Sequence, residues 1–302
     1  MSTEHANPTV PMPDATARSS APLRNALDLV ADGDDAFLGS HQVIPSGRAY
    51  GGEIVAQAER AMSLTVGEDR RVHSLHGYFL RAGDVNDKTR WEVERLRDGR
   101  GFSHRLVRGS QQGKLIFQAM ASFQVPVEGV AHADTLPPDA GDPTELPSTA
   151  DVLQGEDARD AEYWRYHRSF DIRHSPAALY TRPDGSRGRR QTVWLKAWER
   201  LPDDPAVHRS ALAYVCDYTL LEPILRHHGA AWADDDVMTA SLDHAMWWHH
   251  DGRMDEWVAL VQDSPIATRG TGLGTARLFS ADGRLLGSVV QEGLVRLAKG
   301  AR

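Results

Sequence analysis

Between residues 51 and 62 the apolar side chains recur at helical spacing. Ile54, Val55, Ala58, Ala61 and Met62 fall on one stripe, behind the pair Gly51–Gly52. The pattern predicts a helix whose glycine start either leaves backbone N–H groups approachable or simply makes a tight turn. Upstream, residues 37–52 read as a strand followed by a turn. From residue 73 the period changes from 3.6 to 2. The stretches 73–83, 89–102 and 103–125 read as strands, with a hairpin at Asp98–Gly99 and a turn at Gln112–Gly113. In the last of them Leu115, Phe117, Ala119, Ala121 and Phe123 share a face. The expected unit is one helix followed by an antiparallel meander.

The pattern then lapses. Residues 126–150 are rich in Pro, Asp, Glu, Gly and Thr and read as a linker. An aromatic run at 161–170, AEYWRYHRSF, suits docking on a domain surface, and 184–190 reads as a loop. Order resumes at 191–201, a strand, followed by AYVCDYTLLEPIL (213–225) in the helix position, with a kink or turn expected at Pro223. Strand patterns return at 237–249, 256–263 and 274–297, with a hairpin at Asp282–Gly283. Landmarks match between the halves at a near-constant offset. Gly51 and Asp217 are 166 residues apart, His76 and His244 168, and Gly113 and Gly283 170. Two copies of one fold, with sheets joined edge to edge, would remove two exposed edges.

Three polar residues stand out against this frame. Asp217 lies at helical spacing from Ala213, Tyr214, Leu220, Leu221 and Ile224, where an ionised carboxylate is costly unless something binds it. It is either a paired structural acid or a group kept for chemistry. Gln291 shares a strand face with Val289, Gly293 and Val295, so it points inward and needs partners there. A core glutamine bonded to backbone and a ligand-facing amide both fit. Ser241 alternates with Asp243 and Trp247, opposite Leu242, His244 and Met246, so a bulge would be needed to turn it inward. His76 and His244, at matching positions, are expected to be structural.

Composition narrows the classes. The chain has 302 residues, 41% hydrophobic and 25% charged, which suits two globular domains. A net charge of −8 argues against a nucleic-acid binder, although residues 81–114 carry nine Lys/Arg against five Asp/Glu, as a solvated strand face or an anion patch. The single Cys216 excludes an intramolecular disulfide and a cysteine-based metal cluster, and beside Asp217 it is a poor nucleophile. The first residues hold no apolar h-region and read as a disordered tail, and no apolar run has the length of a membrane span. No P-loop, Gly-x-Ser-x-Gly elbow or His-Glu-x-x-His motif is present.

Taken together, YGGEIVAQA (50–58), VHSLHGYFLRAGD (72–84), RDGRGFSHRLV (97–107), SLDHAMWWH (241–249) and VVQEGLVR (289–296) resemble the acyl-CoA thioesterase II family. The resemblance implies an α+β double hot-dog, two tandem copies of a long helix wrapped by an antiparallel sheet. It implies hydrolysis of fatty acyl-CoA to free acid and CoA, without a cofactor. The family's Asp, Thr/Ser and Gln fall on Asp217, Ser241 and Gln291, the serine replacing a threonine found in many members. Asp217 would activate water, and Ser241 and Gln291 would hold it. The expected organisation is a tail at 1–25, a first domain at 26–128, a linker at 129–190 and a second domain with the catalytic residues at 191–302. The expected partners are an acyl-CoA substrate and further copies of the chain, without nucleic acid or a membrane span, in the cytoplasm. Two other readings stay open: a hot-dog hydratase or dehydratase using Asp243–His244, and a non-catalytic acyl-CoA-binding module.

Overall fold

The computed structural model describes residues 21–158 and 160–297. In chain order the first half contains α1 (Ala21–Leu27), β1 (Val30–Ala31), β2 (Ala36–Gly39), α2 (Gly51–Ser63), β3 (Arg71–Phe79), β4 (Thr89–Asp98), β5 (Phe102–Gln111) and β6 (Lys114–Gln124). A connecting stretch carries α3 (Thr149–Val152), a π-helical turn (Tyr163–His167) and β7 (Phe170–Ser175). The second half contains β8 (Arg190–Ala197), α4 (Pro205–Val215), α5 (Glu222–His228), β9 (Met238–Ser241), β10 (Asp243–Trp248), β11 (Val258–Thr268), β12 (Thr271–Ser280) and β13 (Leu285–Arg296).

All strands join one sheet, ordered β1-β2-β4-β5-β6-β3-β10-β13-β12-β11-β8-β7, with β9 also on β13. The order reads as a palindrome about the β3–β10 seam, so each half is the same meander and the two fuse edge to edge. This is the double hot-dog. At the seam Leu75 pairs with Met246 and His76 with Ala245, all antiparallel. Fusion removes the two edges that the separate meanders would expose. The predicted turn at Gln112–Gly113 is present, with both residues at positive φ (48° and 73°).

Helix α2 is not amphipathic in its burial. Its apolar stripe packs on β3 to β6, but Glu53, Gln57 and Glu59 are buried too, the first two against Ser40 to Gln42 and Trp91, and Glu59 against α4 of the second half. Their polar atoms are therefore satisfied internally. Glu53 accepts from the Gln42 N–H and pairs with His41. Gln57 donates to the Ser40 carbonyl and accepts from Trp91 Nε1. Glu59 accepts from Ser63 and Ser210.

Four expectations need correction. The tail does not extend to residue 25. Residues 21–27 are helical and Leu23 is fully buried in the core, an apolar anchor that a compositional reading overlooks; the rest of the tail lies outside the described residues. Residues 129–190 are not merely a linker, because β7 pairs along β8 and Tyr163, Trp164, Leu153 and Tyr180 form their own apolar cluster. The helix expected over 213–225 is interrupted. α4 ends at Val215, and α5 begins afresh with Pro223 in its first turn, where a missing N–H costs nothing. Finally, His76 and His244 are not equivalent. His76 is exposed on the outer face and His244 is buried on the inner one, so the matching residue of His244 is Leu75, one residue away. The basic stretch 81–114 is a face of ion pairs, Arg90–Asp32, Arg95–Asp35 and Arg108–Glu94, with Arg105–Asp98 partly buried.

Candidate active site

The interruption between α4 and α5 carries Asp217. Its carboxylate points at the start of α2 in the other half, where it accepts a hydrogen bond from the Gly52 N–H. A Cβ on Gly51 would lie 2.4 Å from Asp217 Oδ2, so only glycine lets the helix end approach this closely. The positive end of the α2 dipole faces the acid.

Ser241 reaches the same point through a bulge. Ser241 pairs with Gly293 and Ala245 with Val290, so β9 and β10 spend one residue more than β13 between these pairs. The extra residue sits at Leu242–Asp243, where the Leu242 N–H bonds the Glu292 carbonyl and Asp243 Oδ1 accepts the Glu292 N–H. It turns Ser241 to the same face as His244. β3 carries the same irregularity between Val72 and Ser74.

The structure brings Asp217, Ser241 and Gln291 together. Ser241 Oγ donates to Asp217 Oδ1 at 2.7 Å, Gln291 Nε2 donates to Asp217 Oδ1 at 2.6 Å, and Gln291 Nε2 donates to Ser241 Oγ at 2.9 Å. Gln291 is fully buried, facing inward as its strand pattern predicts. A fourth residue completes the network. His244 Nδ1 lies 2.7 Å from Gln291 Oε1. Because both amide hydrogens of Gln291 serve Ser241 and Asp217, its oxygen faces His244 and Nδ1 carries the proton. Nε2 is then the unprotonated nitrogen, buried with no protein partner. Burial lowers the His244 pKa, against the Gln291 hydrogen bond and the charges of Asp217 and Asp243, so the ring is neutral. Burial likewise raises the pKa of Asp217, and donation from Ser241 and Gln291 only partly offsets it. Cys216 is fully buried, and burial, with the Asp217 charge, pushes its thiol well above the ordinary range.

Two cavities share Thr239, Ala240 and Ser241 as a common wall. The first, about 340 Å³, is lined by Asp217 and by the rings of Tyr50, Tyr163, Trp164, Tyr218 and Trp232, with Arg168. The second, about 320 Å³, is lined by Gly51, Ile54, Phe79, Leu80 and Ile116, with the exposed Arg48 and Arg81. A larger cavity of about 570 Å³ lies elsewhere, against β8 and β11 to β13. Its lining includes Arg190, paired with Asp263, and Arg277, paired with Asp134, and none of Asp217, Ser241 or Gln291. The trio and its two flanking cavities are therefore the better candidate.

Residues 165–294 match the family described as Acyl-CoA thioesterase, and residues 41–124 the Acyl-CoA thioesterase N-terminal domain. Human Acyl-coenzyme A thioesterase 8 is 34% identical over 294 residues, spanning 91% of this chain and 89% of that protein. The chain belongs to the acyl-CoA thioesterase II family. Membership makes it a thioester hydrolase. Acyl-CoA thioesterase 2 of Haemophilus influenzae is 32% identical over 282 residues, covering 92% of this chain and 96% of that one. Among solved structures, acyl-CoA thioesterase II TesB2 from Mycobacterium marinum superposes with a TM-score of 0.74 at 35% identity, covering 92% and 98% of the two chains. No helix among the described residues is long and apolar enough to cross a membrane.

The sequence reading did not foresee His244 as the partner of Gln291, nor Arg168 beside the site. For His244 a signal existed: its strand partner on the inner face is a glutamine. Arg168 had none beyond its place in an aromatic run.

Proposed function

We propose that this thioesterase hydrolyses acyl-CoA with Asp217 as general base to a water held by Ser241 and Gln291. The observation that carries the reading is the convergence of Ser241 and Gln291, from separate strands, on one oxygen of the Asp217 carboxylate, with Ser241 in the wall common to two cavities. A thioester has two arms, and two cavities meeting at the trio suit them. The ring-lined cavity suits the acyl arm. The second, with Arg48 and Arg81 at its rim, suits pantetheine and the CoA phosphates.

The chemistry follows from residue type. No serine or cysteine here is paired with a base in the manner of an activated nucleophile: Ser241 donates to Asp217, but the amide of Gln291 already occupies its oxygen. Asp217 has a raised pKa, which makes it a stronger base than an exposed carboxylate while it is ionised. A water that displaces part of the Asp217–Ser241–Gln291 contact would be aligned by the same three groups on the thioester carbon. The N-terminal turn of α2 would face negative charge developing on the carbonyl oxygen. The dehydratase reading is weaker, because Asp243 is committed to the Glu292 N–H and His244 to Gln291. Thiol release from acyl-CoAs of increasing chain length tests the proposal, with crotonyl-CoA as the control. Release of CoA thiol from the saturated acyl-CoAs is expected, and any fall of the enoyl-thioester absorbance of crotonyl-CoA should be matched by an equal release of thiol. Hydration of crotonyl-CoA without thiol release would overturn it.

A further inference from the structure

Arg168 lines the cavity next to Asp217 and is only 9% exposed. It is held in place from both sides. Its carbonyl accepts from Trp198 Nε1, and Phe170, two residues on, is locked into the β7–β8 ladder opposite Ala197. Its guanidinium carbon lies 4.9 Å from the ring centroid of Tyr218, 5.5 Å from that of Tyr180 and 5.9 Å from that of Tyr163. Nη1 donates to the Tyr180 hydroxyl at 3.2 Å, while Nε is buried with no partner.

Buried arginines normally meet a carboxylate, because an uncompensated charge in a low-dielectric site is costly. Elsewhere in this chain they do: Arg105 pairs with Asp98, and Arg226 with Asp184 and Glu222. Arg168 has no carboxylate partner among the described residues. Rings compensate a cation in part, but they do not use the planar fork of donors that matches a carboxylate or phosphate. Burial disfavours its charge, yet the surrounding phenols of Tyr180, Tyr163, Tyr218 and Tyr50 prevail, so the group stays cationic.

We infer that Arg168 is a substrate-binding residue whose guanidinium receives an anionic oxygen group, a carboxylate or a phosphate, carried by the substrate. The inference rests on the assignment of this cavity to the substrate. If the cavity takes the acyl arm, the group is a carboxylate at the far end of a dicarboxylic acyl chain. If it takes the other arm, the group is a phosphate of CoA. The first source agrees better with the cavity, whose aromatic walls enclose an acyl chain up to its charged end, while exposed arginines mark the other cavity.

Binding of non-hydrolysable thioethers decides the matter without turnover. The full chain and Arg168→Met are titrated calorimetrically with octyl-CoA, 7-carboxyheptyl-CoA and octyl-pantetheine. A loss of roughly 10- to 100-fold confined to 7-carboxyheptyl-CoA supports the inference and assigns an acyl carboxylate. The same loss on both CoA compounds, with octyl-pantetheine unchanged, supports it and assigns a phosphate. Any other pattern, such as equal loss on all three or no loss on any, overturns it and leaves Arg168 a structural cation among rings. Should Arg168→Met fail to fold, Arg168→Lys carries the comparison, since it keeps the charge but loses the fork. Thiol release from octanoyl-CoA by the unmodified chain tests the hydrolase mechanism separately, so the two can fail independently.

Discussion

Replacing His244 isolates one hydrogen bond that orients the site. In the native chain Nδ1–H donates to Gln291 Oε1 at 2.7 Å, and this fixes which end of the amide faces Asp217. His244→Leu removes the donor and leaves a fully buried carbonyl oxygen without its partner, which costs about 1–3 kcal/mol. A flipped amide, with its oxygen against the Asp217 carboxylate, is then opposed by one contact instead of two. If that cost falls on the aligned arrangement, kcat drops roughly 10- to 100-fold while KM changes little, because the histidine lines neither flanking cavity. His244→Asn places an amide N–H where Nδ1–H was and should restore most of kcat. His244→Gln, whose amide lies one bond further out, should not. Steady-state thiol release gives both constants, and thermal melting checks the fold. In a Gln291→Ala background, His244→Leu should add less than about threefold, since the bond it removes is already gone. Equal defects in the leucine and asparagine variants, or an undiminished kcat in the leucine variant, would show that the bond does not position the amide.

Other consequences follow from the same geometry. Because the folded-state pKa of Asp217 is raised, the folded chain binds this proton more tightly than the unfolded chain. The acid therefore destabilises the fold increasingly as pH rises from its unfolded value through the folded one. Asp217→Asn should melt a few degrees higher than the native chain at pH 8, and melting curves should show the gap closing toward pH 4. For the same reason, the acid limb of the kcat/KM profile should lie above the ordinary carboxylate range and vanish in any residual activity of that variant. Gly51→Ala puts a methyl group against Asp217 Oδ2 and should lower kcat on the order of 10²-fold, measured by thiol release, with a lower melting temperature from the same crowding. Ser241→Thr should keep most activity in thiol release, whereas Ser241→Ala should not.

The legible part of this molecule was the part written in period. The stripe of Ile54 to Met62, the alternation of Leu115 to Phe123 and the turn glycines predict helix, meander and duplication without any partner being known. The inward aim of Gln291 follows from the same alternation. The rest depends on contacts between distant residues. Ser241 faces the site only because one extra residue at Leu242–Asp243 shifts the register, and alternation alone points it the other way. His76 and His244 differ for another reason: both copies carry the bulge, and β3 and β10 match at an offset one residue longer than 168, which alternation turns into opposite faces. Asp217 was visible as an anomaly, but the helix break that carries it lies between α4 and α5 and aims it at α2 of the other half, a contact that local spacing does not report. Residues 149–180 looked like connector because their Pro- and charge-rich surroundings hide β7, Leu153 and Arg168, which are buried against neighbours distant in sequence as well as against their own segment.

The central claim is that the Asp217 carboxylate generates the nucleophile from water. Asp217→Asn keeps the size and most of the hydrogen bonds of the native side chain but cannot take a proton. Initial rates of thiol release from an acyl-CoA that the native chain hydrolyses, measured with the fold of the variant verified by melting, should fall by about 10²–10⁴-fold. An Asp217→Asn variant that folds normally and releases thiol at the native rate would contradict the account.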